Sequence, residues 1–392
     1  MSPLPFGDQF FDISWIDAII RIVILVLVMT VVVMYLTYGE RKVVARLQMR
    51  LGPTETGPAG LLQAIADALK LVFKEDVRPR NADRWVFEFA PYATFIPVFA
   101  VLVTLPFAQD WGVRNMVLGL FFVFALLGLE IVGILMAGLG SGNKYALLGG
   151  VRAAAQMISY EIPLVLALLS VAMLAGTLDL NVMAAQQGAV GEAFEDLTAR
   201  PFFVVLPLAF LIFFTAMLSE LHRAPFDIPV AESEIVGGYF VEYSGIRWSM
   251  FQLAEYASVW AFCVFGAVVF FGGWALPNAE GWAGPAWPWQ LGITFAKSLL
   301  FILAIFWVRT TVPRLRVDQL MTFCWKVLLP VSVVQLAVVG FFLEYDWPQE
   351  ILAVVNWAGA AGMVAFIVTR GLRRPKTTNL VGAYRTLGAT GQ

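Results

Sequence analysis

Nine apolar runs, at 16–38, 92–107, 116–139, 156–176, 202–221, 251–276, 291–310, 320–344 and 351–370, follow one another along this chain. Crossing the hydrocarbon of a bilayer takes about 20 apolar residues in helical conformation. Inside lipid each backbone N–H and C=O must be paired within the protein, which leaves helices or closed barrels. Runs of this length predict helices. The run at 92–107 is the shortest, and Pro97 within it predicts a kink. With 60% hydrophobic and 14% charged residues, the composition is that of a membrane protein. The fold class is therefore an all-α polytopic membrane protein of about nine transmembrane helices. A tenth segment, at 61–73, is too short to span. Its Leu61, Leu62, Ile65, Leu69, Val72 and Phe73 recur at helical spacing, with Gln63, Asp67, Lys70 and Lys74 elsewhere, so it reads as an amphipathic helix lying at the interface, or as a plain surface helix.

Lys and Arg fix the expected orientation. With the N-terminus outside, the inner loops hold Arg41, Lys42, Arg46, Arg50, Lys70, Lys74, Arg78, Arg80 and Arg84, then Lys144, Arg152, Arg223, Arg247, Arg309, Arg314, Arg316 and Lys326. The outer side keeps Arg21, Arg114, Arg200 and Lys297. Asp8, Asp12 and Asp17 occupy the flank of the first run, and no cation precedes Arg21, so this run reads as a retained helix rather than a signal peptide. The expected organisation is one helix bundle over 1–374. An inner loop at 39–90 carries the amphipathic helix, and a second, acidic inner loop covers 221–250. The composition of 375–392 predicts a disordered cytoplasmic tail.

Two cysteines, Cys263 and Cys324, stand alone in apolar runs, and His222 is the one histidine. Two thiols cannot hold an iron–sulfur cluster that needs four, and one imidazole cannot give a bis-His haem. No metal site is expected. No phosphate loop, dinucleotide fingerprint or nucleophile elbow occurs either.

The chemistry concentrates in 218–256. That stretch links two apolar runs and carries Glu220, Asp227, Glu232, Glu234, Glu242 and Glu255, offset by Arg223 and Arg247, with His222 between. Glu220 closes one apolar run, Glu255 sits within the next, and Glu130 is enclosed by LLGLEIVGIL. Ionisable groups at membrane depth are costly and default to a functional reading. A carboxyl in apolar surroundings holds its proton more tightly and can exchange it near neutral pH. Bland readings stand beside these. Arg223 could neutralise Glu220 three residues away, Glu161 could favour a helix N-terminus, and His222 could be a polar loop residue. Lys297 could meet a buried acid or extend outward.

Four blocks sharpen the picture. The first is Glu40-Arg41-Lys42 with Gln48-Met49-Arg50-Leu51-Gly52-Pro53, leading to Ala66-Asp67-Ala68-Leu69-Lys70. The second runs from Ser141-Gly142-Asn143-Lys144 through Arg152 and Gln156 to Tyr160-Glu161-Ile162-Pro163. The third is Glu220, Arg223, Pro225-Phe226-Asp227, then Glu232, Glu234 and Glu242-Tyr243. The fourth is Trp307-Val308-Arg309 and Pro313-Arg314-Leu315-Arg316 to Trp325-Lys326, an inner hairpin that alone reads as structural or as a docking surface. Together they resemble the family of quinone-module membrane subunits of respiratory complex I, over most of the chain.

That resemblance implies a subunit of a proton-pumping NADH:quinone oxidoreductase in the bacterial plasma membrane; the Lys/Arg asymmetry over nine spans puts its N-terminus outside and its C-terminus in the cytoplasm. It implies quinone as substrate and no metal or flavin on this chain. Arg41, Gln48, Arg50, Phe226 and Asp227 would border the quinone chamber. Glu130, Glu161, Glu220, Arg223, Glu232, Glu234, Glu242 and Glu255 would couple quinone reduction to proton movement. Implied partners are the peripheral-arm subunits carrying the terminal iron–sulfur cluster, the adjacent proton-pumping membrane subunits and the lipid bilayer, not nucleic acid. The family usually has an acid where this chain has Val230. Two other classes compete: the related membrane subunit of an energy-converting hydrogenase, and a free-standing ion transporter.

The charge asymmetry predicts the topology. Reporter fusions after Gly176 and Leu276 should score outside, and fusions after Gly142 and Gln392 inside. An outside score at Gln392 would mean that an odd number of helices has been miscounted.

Overall fold

The computed structural model describes residues 15–109, 115–188, 201–229, 232–276, 287–345 and 347–372, and every regular element in them is helical. Seven helices are long and apolar enough to cross a membrane. They are α1 (Trp15–Leu47), α4 (Gly119–Gly140), α5 (Lys144–Ala175), α10 (Gly245–Phe271), α11 (Trp287–Thr311), α13 (Leu329–Glu344, continuing the short α12, Val317–Phe323) and α14 (Gln349–Leu372). Two shorter helices occupy the remaining expected runs. Helix α3 (Arg84–Val101) carries Pro91 and Pro97 internally. Helix α8 (Pro207–Glu220) is separated by Leu206 from a single turn, α7 (Phe202–Val205), because Pro207 cannot continue it backwards. The interfacial segment is α2 (Gln63–Phe73). Short helices α6 (Leu180–Gln186) and α9 (Glu232–Ile235) lie in connections. The structure thus gives the multi-pass helical membrane protein that the apolar runs predict. Val230 and the segment 375–392 lie outside the described residues.

Small residues set how closely the helices approach. A Cβ on Gly138 would stand 3.1 Å from the Gly150 Cα, so α4 and α5 touch backbone to backbone. Gly149 meets the turn at Gly238–Phe240 in the same way, with a Cβ 2.6 Å from the Gly238 Cα. The core follows from this packing: Tyr160, Phe202, Phe213, Phe265 and Phe270 are fully buried among α5, α7, α8 and α10. Helix α1 stands at the edge, packed on α10 and α11, and leaves Ile19, Ile20, Ile24 and Leu27 exposed as a lipid-facing stripe would be.

Connections gather at two opposite ends. At one, the Gln290 side chain accepts from Gln109 N, and Lys297 donates to the Phe271 and Ala275 carbonyls at 2.7 and 2.5 Å. Lys297 therefore caps the C-terminal end of α10, where a cation is favoured, and pairs with no acid among the described residues. The other end carries most of the charge. There α2 turns Gln63 and Asp67 toward α1 and leaves Leu61, Leu62, Ile65, Leu69, Val72 and Phe73 exposed. A polar face inward and an apolar face outward suits a helix at a membrane or partner surface.

Helix α1 ends at this charged end in a Schellman motif. Met49 N donates to Arg46 O and Arg50 N to Ala45 O, with Met49 at φ 58. Glycine is the usual residue there. A side chain in that left-handed conformation costs roughly 1–2 kcal/mol. The chain then folds back. Lys42 Nζ donates to the Pro53 and Ala59 carbonyls at 2.7 Å each, and the Tyr38 hydroxyl to Ala59 O at 2.9 Å.

Candidate functional site

Four charged side chains from four elements meet at the charged end. Arg223, in the turn after α8, reaches Glu40 on α1 and Glu255 on α10, each at 3.2 Å. Arg309, near the end of α11, also pairs with Glu40. Arg223 and Glu40 are each about 5% exposed. The guanidinium lies 4.6 Å from the centre of the Tyr256 ring, a cation–π contact. Burial alone would lower the Arg223 pKa. Glu255, Tyr256 and Asp227 outweigh it and raise it, so Arg223 remains a fixed cation. Two carboxylates and two guanidiniums balance. Arg223 and Glu40 form the buried pair, and removing either leaves the other uncompensated, at a cost of about 3–5 kcal/mol; Glu255 and Arg309 are partly exposed.

The turn that presents Arg223 is held from several sides. Gln156 of α5 donates to the Ser219 and Phe226 carbonyls, both at 2.8 Å. Phe226 packs edge-on against Tyr160, ring centres 5.6 Å apart. The fourth sequence block closes over it: Leu315 N donates to Pro225 O, and Arg314 pairs with Asp227 at 2.7 Å. The Tyr160 hydroxyl donates to Leu320 O at 2.9 Å, joining α5 to α12.

The remaining acids extend from this cluster into the bundle. Glu130 is buried on α4 and accepts from Ser258 of α10 at 3.4 Å. Glu255 lies within electrostatic reach of Glu130, and Glu220 within reach of Glu130 and Glu161. Glu161 stands in the middle of α5, which starts at Lys144, and its carboxylate faces Gly128 of α4. That removes the helix N-terminus reading of Glu161. Arg223 likewise turns to Glu40 and Glu255, and no ion pair between Arg223 and Glu220 forms.

The outer members of the predicted set are more exposed. Glu234 pairs with Arg152 at 2.9 Å, and Glu242 accepts from Asn143 at 2.6 Å at the start of α5. Glu232 lies in α9, with its side chain outside the described residues. Arg41 pairs with Asp67 at 2.6 Å, fixing α2 beside α1. Burial alone would raise the Asp67 pKa, but Arg41, Gln63 and Lys70 hold it below its ordinary value. This tie therefore persists above the ordinary carboxylate range and is lost as pH falls through that lowered value. Gln48 and Arg50 sit on the exposed turn beyond α1, away from the cluster. Glu40 and Arg309, which join the four-charge set, were not among the sequence candidates. Their signal is position: Glu40 lies just past the apolar run 16–38 and Arg309 just inside the end of the run 291–310, each with its charge at the boundary.

This arrangement defines a multi-pass membrane protein with a buried, balanced charge cluster at one end and a file of acids leading inward. The chain belongs to the NADH dehydrogenase family, whose model matches residues 20–340. It is 41% identical over 340 residues to the H subunit of the NADH-quinone oxidoreductase of Brevibacillus brevis, covering 85% of this chain and 96% of the relative. It is 46% identical over 322 residues to the protein of that name from Chlorobium luteolum, covering 79% of this chain and 85% of the relative. To the one from Geobacillus kaustophilus it is 46% identical over 316 residues, covering 79% and 90%.

His222 gives a direct check of the burial in this turn. It is buried at φ 48 rather than solvated. Burial first, and Arg223 second, lower its pKa to about 4. An unfolded histidine takes up its proton near 6.5, so folding stability falls as pH drops from about 6.5 to 4 and levels off below. It is the sole histidine, so ¹⁵N-histidine labelling of the purified chain reports one imidazole. The expected midpoint is about 4. A midpoint near 6.5 would place His222 in solvent.

Proposed function

We propose that this chain is the membrane-embedded H subunit of an NADH:quinone oxidoreductase, that it forms part of a quinone-binding chamber, and that it couples quinone reduction to proton translocation. The family and the names its relatives carry support the first part. The observation that carries the second is the Glu40–Arg223–Glu255–Arg309 cluster around the buried Arg223–Glu40 pair, which reaches Glu130 through Glu255 and, beyond it, Glu220 and Glu161. Quinone is the substrate. It enters past the apolar face of α2, beside the Arg41–Asp67 pair, and its headgroup meets Arg41 and Asp227. Gln48 and Arg50 belong to the outer wall of that chamber, and Phe226 holds its turn in place. Peripheral-arm subunits, which carry the terminal iron–sulfur cluster, deliver electrons, and adjacent membrane subunits pump protons. The complex sits in the bacterial plasma membrane with the C-terminus of this chain cytoplasmic.

Coupling follows from charge. Reduction to quinol takes two electrons and two protons. Proton withdrawal from the chamber leaves net charge beside Asp227, Glu232, Glu234 and Glu242. Neighbouring buried acids titrate together and can share fewer protons than sites. A change at one end, relayed through the fixed cation Arg223 to Glu255, is answered by proton movement at Glu130, Glu220 and Glu161.

Two pairs of substitutions test this in the assembled complex. Arg41→Ala and Asp227→Asn should lower quinone-linked turnover while electron entry into the peripheral clusters stays normal. Glu161→Gln and Glu220→Gln keep shape and hydrogen bonding but fix the neutral state. They should assemble, yet lose about tenfold or more of quinone reduction or of proton uptake into vesicles, equivalent to about 1.4 kcal/mol of barrier. Wild-type values in all four, normalised to assembled complex, would make these residues scaffolding.

A further inference from the structure

The turn that ends α1 carries two apolar side chains nearly free of the rest of the chain. Met49 is 95% exposed and Leu51 90% exposed, with Leu47 about half exposed beside them. Arg46 and Arg50 flank them and are exposed. Isolated exposed apolar residues are ordinary. Here, however, the residue type works against the local fold. Met49 occupies the left-handed position of a Schellman motif, where glycine is free of strain. Its side chain makes almost no contact that would offset that strain. Among the described residues nothing accounts for a methionine there.

The position argues against lipid as the occupant. The apolar run of α1 ends at Tyr38, and the helix continues to Leu47. At 1.5 Å per residue the tip stands roughly 14 Å beyond the end of that run. The returning chain is clamped back onto Tyr38 and Lys42, so the 47–51 turn projects alone into the aqueous layer. Methionine is an adaptable filler of apolar pockets at interfaces, and arginine is enriched there.

We infer that Leu47, Met49 and Leu51 form an anchor for a soluble protein partner of the complex, inserting into an apolar pocket whose rim is acidic and pairs with Arg46. This deepens the proposed function and rests on the chain working inside a multi-subunit complex. It adds a specific contact point at which the peripheral arm is held.

The test uses the complex purified from membranes through a tag on this chain. It compares wild type, Met49→Gly, Met49→Leu and the double variant Met49→Asp/Leu51→Asp. Met49→Gly relieves the backbone strain, so the membrane part should unfold at the same or a higher temperature. It should nevertheless retain less of the soluble subunits after a salt wash, and the double variant about tenfold less than wild type. Met49→Leu should retain them nearly as wild type does. A double variant that keeps the full set of soluble subunits would overturn the anchor. So would a depth-dependent quenching of a probe at Met49→Cys by lipid-borne quenchers, which would give the tip to the membrane. If the wild-type chain itself brings down no soluble partner, the proposed function fails, an outcome distinct from failure of the anchor alone.

Discussion

Arg223 is the charge on which the charged end depends. It cannot be hydrated where it lies, so it needs carboxylates, and those come from helices far apart in sequence: Glu40 from α1 and Glu255 from α10. Arg309 then satisfies Glu40 from α11. One desolvated cation thereby fixes the mutual position of three spanning helices and the turn after α8. Buried ion sets of this kind add little net stability. Their loss is costly because a charge is left unpaired, and this makes them selective for one arrangement.

The surrounding structure serves to hold that cation where it is. Gln156 and Phe226 fix the turn from the α5 side, and Arg314 and Leu315 close it from the α12 side. The close contacts at Gly138, Gly149 and Gly150 seat α5 against α4 and the 238–240 turn, and Glu220 of α8 lies within electrostatic reach of both Glu130 and Glu161. Balanced charge at the boundary and clustered acids within are the two features on which the proposed coupling rests.

The sequence made the membrane fold legible because length and apolarity dictate spanning helices, and the runs at 116–139, 291–310 and 351–370 all return as helices. Less was legible where helices run past the hydrocarbon. The run at 156–176 concealed that α5 begins at Lys144, so Glu161 appeared terminal when it is central. The acids of 218–256 were visible as expensive charges. Their partners were not, because a pair such as Arg223–Glu40 joins residues 183 positions apart. Spacing rules address only neighbours three or four residues away, and they pointed to Glu220 instead.

A stability–coupling cycle on Arg223→Gln, Glu255→Gln and the double variant tests the account most directly, scored on assembled complex by thermal unfolding and by proton uptake per quinone reduced. If Arg223 is both the pin of the charged end and the link from chamber to acids, Arg223→Gln alone destabilises the bundle. Adding Glu255→Gln recovers part of the stability by removing an orphaned charge, and coupling stays lost. A double variant that regains coupling along with stability would contradict the account and leave the cluster a structural device alone.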